Sequence, residues 1–202
     1  MEMHISREDL WTESIFYIQV PEVDNQGIID FAFDKKKVEP GANRSNYGGW
    51  QYDVTKGQCE ALDDMFMKME HAVNHVFNDV FKAQIDIGLA NAWLNWNERG
   101  NTNTVHTHPG SLYSGVYYIT GNGSKEMGSI SFVRENAHSV ENIFCGELRD
   151  YRDRDPTFIC DKHIPPSEST GIIFSPWLQH EVTPNMSDEP RIVVGMNFNV
   201  KQ

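Results

Sequence analysis

After Phe81 the period of the sequence changes, and that change limits the folds open to the chain. Over about 57–81, Leu62, Met65, Met69, Val73, Val76, Phe77, Val80 and Phe81 recur at helical intervals and predict one long amphipathic helix. Thr55 and Gln58 stand at capping-box spacing just before it. Downstream, short β-rich runs succeed one another at 84–89, 90–97, 113–120, 129–133, 157–164, 171–174, 180–183 and 191–200. Clusters of Gly, Pro, Asn and Ser separate them, and Gly121-Asn122-Gly123-Ser124 reads as a hairpin bend. An earlier strand is expected at 14–20, ended by Pro21, then a polar stretch and a loop at 40–49.

Many short strands behind one helical stripe predict a mainly β fold: a double-stranded β-helix, the jelly-roll or cupin-like barrel, with an N-terminal helical layer. The chain has 202 residues, enough for one sizeable core and short for two. A single domain, 1–202, is expected, with 1–83 as strand and helical support and 84–202 as the barrel.

Composition narrows the partners. A formal net charge of −12, from 29 acidic and 17 basic residues, would repel a polyanion, so nucleic-acid binding is not expected. No apolar run approaches the roughly 20 residues of a membrane helix. The charged N-terminus does not read as a signal peptide, and a cytoplasmic location is expected. Cys59, Cys145 and Cys160 are odd in number, without CxxC, and give no disulfide framework.

Chemistry concentrates in three places. His106 and His108 are two apart, so an extended strand would send both side chains off one face. His180 could return beside them in an antiparallel barrel, after a bend at Pro176. Arg191 offers a planar two-pronged cation for a carboxylate. Imidazoles bind iron, zinc, copper or nickel, so the histidines alone do not name the metal. A lone His-x-His is weak, and polar alternation in any strand produces it. His180 and Arg191 turn it into a candidate site at a barrel mouth.

The residues His106-Thr107-His108-Pro109-Gly110-Ser111, Ser114-Gly115-Val116-Tyr117-Tyr118, Phe174-Ser175-Pro176-Trp177-Leu178-Gln179-His180 and the run from Arg191 carry a resemblance. From about Trp93 onward the chain resembles the 2-oxoglutarate- and Fe(II)-dependent oxygenases, in particular a bacterial and phage subgroup. That resemblance implies His106 and His180 as Fe(II) ligands and Arg191 as the clamp on the distal carboxylate of 2-oxoglutarate. It implies O₂ as oxidant, a hydroxylated small-molecule or peptide substrate, and release of succinate and CO₂.

Two departures stand out. The position two after the first histidine, Asp or Glu in most of the superfamily, is His108 here. It could ligate, stand aside, or leave room for a carboxylate from elsewhere; its spacing favours ligation. Many relatives carry a hydroxyl residue two positions after the arginine, and this chain has Val193. Tyr113, Tyr117 or Tyr118 could supply that hydroxyl, and alternation lets only one of the last two point inward. Tyr118 is taken as the candidate. Asn91, Asn95 and Asn97 alternate along one run, and Asn95 is a second candidate for holding the co-substrate.

Elsewhere, His71 and His75 have helical i, i+4 spacing but no third ligand and no HExxH, and read as surface residues. His163 reads as a loop residue and Glu181 as facing away from His180. The mixed-charge stretch 147–155 could act as a lid. Two other readings stay open: a metal-dependent cupin-type enzyme that does not use 2-oxoglutarate, and a non-catalytic jelly-roll binding module.

Overall fold

The strand run Ile15–Gln19 forms β1 and stops short of Pro21, which has no N–H to give a sheet. The structure, a computed structural model, describes residues 8, 12–134, 159 and 161–201. A helix that the sequence did not announce follows, α1 (Asn25–Val38), where Asp24 caps the first turn by accepting from the Gly27 N–H at 2.9 Å. It buries only Asn25, Ile28 and Ala32, so it has no broad apolar stripe to read. Two short strands come next, β2 (Asn46–Tyr47) and β3 (Trp50–Val54).

The expected long helix is α2 (Glu60–His75), continued by a π-helical turn at Val76–Val80. Its stripe from Leu62 to Phe77 is buried as predicted, whereas Val80 and Phe81 are exposed. Gln58 Oε1 accepts from the Thr55 N–H at 3.1 Å, yet the helix starts only at Glu60 with Cys59 in the cap position. The capping-box pair therefore closes a turn ahead of the helix.

The remaining strands are β4 (Ile87–Asn97), β5 (Thr102–His106), β6 (Tyr113–Tyr118), β7 (Ile130–Val133), β8 (Asp161–Ile164), β9 (Thr170–Phe174), β10 (His180–Val182) and β11 (Arg191–Val200). The two runs expected at 84–97 are one strand, β4. Among the described residues all pairings are antiparallel and make two sheets, in the orders β1-β9-β6-β11-β4-β3 and β2-β5-β10-β7-β8. This is the expected mainly β double-stranded β-helix. One expectation fails: the Gly121–Ser124 turn closes no hairpin, because β6 and β7 lie in different sheets. From the N-terminal part, β1 and β3 form the two edges of the larger sheet.

Strand alternation divides the core in two. Leu94, Tyr117, Ile173, Val194, Met196 and Phe198 pack with the α1 and α2 side chains on one face of the larger sheet. Tyr118, Ile172, Phe174 and Val193 face the other way and meet Ile130, Phe132 and Ile164 of the smaller sheet. Gly115 and Gly171 let Met69 of α2 approach the sheet closely: a Cβ on Gly171 would sit 2.8 Å from the Met69 sulfur.

Two asparagines one helical turn apart fasten this layer to the start of β4 and the segment leading into it. Asn74 accepts from the Ile87 N–H at 2.9 Å and donates to the Ile87 carbonyl at 2.7 Å. Asn78 does the same for Ile85, at 2.8 and 2.9 Å. Each side chain stands where a neighbouring strand would. Asn74 Nδ2 also donates to the Glu70 carbonyl at 2.8 Å, so Asn74→Ala should lower the unfolding free energy by about 3 kcal/mol, the loss of three part-buried hydrogen bonds, measured by urea denaturation.

Candidate metal centre and co-substrate pocket

His106 ends β5 and lies directly opposite His180, the first residue of β10. His108 lies beyond the strand end, in the turn that follows. Its backbone N–H donates to the Pro176 carbonyl at 2.8 Å, which ties that turn to the bend before β10. The two ends of the His-x-His therefore converge through different supports, one a strand register and the other a loop-to-loop bond. Ring centroids are 4.4 Å apart for His106 and His180, 5.0 Å for His108 and His180, and 5.2 Å for His106 and His108. One nitrogen from each ring lies within 4.8 Å of the others, a cluster that could hold a metal ion.

The rings are set up as neutral ligands. Nδ1 of His106 donates to the Thr104 carbonyl at 2.7 Å, and Nδ1 of His180 to the Leu178 carbonyl at 2.8 Å. A carbonyl only accepts, so the proton is on Nδ1 and Nε2 keeps its lone pair. Nδ1 of His108 lies 2.7 Å from the Asn197 side-chain oxygen. Burial lowers the pKa of all three and drives that of His180 down to about 3, with His106 alongside adding to the effect. Neutral imidazoles with free Nε2 atoms are the form a divalent iron ion takes, so the donor set fits such an ion.

Arg191 begins β11 at the other end of the same pocket, with only 2% of its surface exposed. One guanidinium nitrogen, Nη1, donates to the carbonyls of Met127 and Thr183 at 3.3 and 3.4 Å. Burial pulls its pKa down to about 10, and it remains a cation at neutral pH. Gly128, at φ +79°, leaves space that a side chain would take from the guanidinium.

Along β11, Arg191, Val193 and Gly195 all line the pocket. Val193 is paired with Asn95 of β4 on one side and Tyr118 of β6 on the other. Both side chains line the pocket. Tyr118 is close enough to Arg191 for each to shift the other's pKa. Tyr117 faces the helices, where its hydroxyl donates to Asn25 Oδ1 at 2.8 Å, and Tyr113 is in the same helix-side core. The structure thus brings together His106, His108, His180, Arg191, Tyr118 and Asn95.

The others lie apart. His75 pairs with Asp79 at 2.6 Å on the helix surface, and His71 is on the same helix. His163 is on β8, not in a loop, and its exposed ring pairs with Asp161 at 2.8 Å. The stretch 147–155 lies outside the described residues.

Asn197 and Trp93 were not singled out as site residues in the sequence. Asn197 braces His108, and its even spacing from Arg191 along β11 was a usable signal. Trp93 lines the pocket with its ring centroid 5.4 Å from that of His108. It fits because its strand partner is glycine: a Cβ on Gly195 would lie 2.6 Å from the Trp93 Nε1. No local pattern signals that contact.

Residues 91–197, just over half of the chain, match the family described as "Putative 2OG-Fe(II) oxygenase". The chain belongs to the 2OG-Fe(II) oxygenase family. No curated protein sequence matches it. Solved structures share the oxygenase's fold at low identity. A prolyl-4-hydroxylase from Pseudomonas putida has a TM-score of 0.61 at 14% identity, covering 95% of each chain. HygX from Streptomyces hygroscopicus, with nickel and 2-oxoglutarate bound, has a TM-score of 0.64 at 12% identity, over 93% of this chain and 83% of its own. The viral collagen prolyl hydroxylase of Paramecium bursaria Chlorella virus-1 has a TM-score of 0.57 at 15% identity, over 91% and 94%. The oxygenase uses Fe(II), 2-oxoglutarate and O₂, the cofactor set of its family. Among its described residues no helix is long and apolar enough to cross a membrane.

Gly195→Ala should push the Trp93 indole into the pocket. The expected result is weaker 2-oxoglutarate binding in calorimetric titration, with metal content by elemental analysis kept.

Proposed function

We propose that His106, His108 and His180 bind Fe(II) through their Nε2 atoms, and that Arg191, Tyr118 and Asn95 receive the distal carboxylate of 2-oxoglutarate. The observation that carries this reading is one pocket with three lone-pair imidazole nitrogens at one end and a buried arginine at the other. In this reading His108 replaces the usual carboxylate ligand, and its neutral ring leaves the centre one negative charge short. Tyr118 and Asn95 replace the hydroxyl that Val193 lacks, since they flank that residue on both sides.

The chain's own task is to bind, orient and keep dry. Arg191 offers a charged pair of donors to a carboxylate in a water-poor end of the pocket, where each bond is strengthened. The Tyr118 phenol stays protonated, because burial raises its pKa, and so remains a donor. Trp93, Phe174 and Val116 line the pocket with apolar surface. Bound iron and 2-oxoglutarate supply the activation of O₂, with succinate and CO₂ as products.

The substrate proposed is a small molecule or peptide that is hydroxylated at a C–H bond. Support comes from the fold shared with prolyl hydroxylases and with HygX, which has been solved with hygromycin B bound. The proposed working unit is the whole chain as one domain in a cytoplasm, with no nucleic-acid partner.

Fe(II) and 2-oxoglutarate added without oxygen should give the weak visible charge-transfer band of the chelate, and absence of both the band and 2-oxoglutarate binding would sink this reading. His180→Ala should abolish metal binding in equilibrium dialysis. Arg191→Ala should keep the metal and lose most co-substrate affinity. Tyr118→Phe should weaken 2-oxoglutarate about tenfold, the worth of one hydrogen bond to a charged group.

A further inference from the structure

The three histidines are not held alike. His106 and His180 each donate Nδ1–H to the carbonyl two residues earlier in their own chain segment, Thr104 and Leu178. Backbone sets those two rings, and no substitution at another position removes their acceptor. His108 has no such bond. Its Nδ1 meets a side chain, the Asn197 amide, at 2.7 Å.

That amide belongs to a built arrangement. Ser114, fully buried on β6, donates its hydroxyl to the same Asn197 oxygen at 2.8 Å. Asn197 Nδ2 donates to the Asn91 side-chain oxygen on β4 at 3.0 Å. Ser114 and Asn91 are the strand partners of Asn197 on its two sides. The β11–β4 register also shifts between Asn197 and Phe198, and such bulges re-aim side chains beside active sites. In this orientation the amide oxygen takes two donors and its nitrogen has an acceptor. Reversing the amide would turn its N–H₂ towards His108 and take the acceptor away from the buried Ser114 hydroxyl. His108 would then accept at Nδ1 and carry its proton on Nε2, the atom needed for a metal.

We infer that Asn197, set by Ser114 and Asn91, is the positioning residue that makes His108 a metal ligand. The inference rests on the reading that His108 binds the iron. It says how this chain supports an imidazole where a carboxylate is usual: a carboxylate needs no choice of tautomer, and the histidine does.

The tests separate the two claims. In the metal-free protein, long-range ¹H–¹⁵N spectra should show His108 as the Nδ1–H tautomer, and an Nε2–H tautomer would overturn the inference. Asn197→Leu, which keeps size and removes the acceptor, should weaken Co(II) about 10–100-fold by equilibrium dialysis. Asn197→Asp should restore affinity. It should also move the Fe(II)–2-oxoglutarate band to longer wavelength, because a carboxylate acceptor makes the imidazole a stronger donor. Unchanged Co(II) affinity in a folded Asn197→Leu, or an unmoved band in Asn197→Asp, counts against the role. His108→Ala is the control for the underlying reading: full Co(II) affinity in that variant removes His108 from the metal, whatever Asn197 does.

Discussion

The pairing of β11 with β4 on one side and β6 on the other is the constraint on which the rest of the molecule depends. β11 is the central partner through which the helix-side core and the pocket share a backbone. Its residues alternate: Ile192, Val194, Met196 and Phe198 are buried in the helix-side core, while Arg191, Val193 and Gly195 line the pocket. Asn197 continues the second set and reaches His108. A slip of one residue would exchange the sets, burying an arginine under the helices and turning four apolar side chains into the pocket. The apolar face that drives folding therefore also fixes the order in which cation, apolar spacer, glycine and amide follow one another on the opposite face.

The larger sheet is held from behind by α2 and from the front by the smaller sheet, and the three-histidine cluster lies where the two sheets meet. His106 and His180 come from the smaller sheet, His108 from the turn after β5, and the rest of the pocket largely from the larger sheet. No single element contains the site. Its geometry is set by how the sheets close on each other, with contacts such as Phe132 against Phe174, at 5.0 Å between ring centroids, forming the apolar layer next to His180.

Much of this was legible in the chain. The helical stripe of α2 and the short β runs follow local periodicity, which survives folding because each element buries one face. The histidines and Arg191 were legible because their types and order repeat a family pattern. α1 was not, because it buries few residues and one of them is Asn25, held by Tyr117 of β6 and by Glu168 in the turn before β9. Trp93 was missed because its place depends on a missing side chain across the ladder at Gly195. Tyr118 was taken as the candidate from the sequence, and the register supplies the physical reason: it pairs with Val193 and lines the pocket, whereas Tyr117 faces the helices.

The confinement of Arg191 has a thermodynamic side. Its guanidinium is buried, and Nη1 makes long bonds, 3.3 and 3.4 Å, to two backbone carbonyls. Partial dipoles offset only some of the cost of taking a full charge out of water. A ligand carboxylate seated against it, as proposed, would supply the counter-charge and so act on the folding equilibrium as well as on the chemistry, in proportion to the logarithm of its concentration over its dissociation constant. On that proposal the firmness of the barrel would follow the supply of its co-substrate, and a cell depleted of 2-oxoglutarate would hold a looser molecule as well as an idle one.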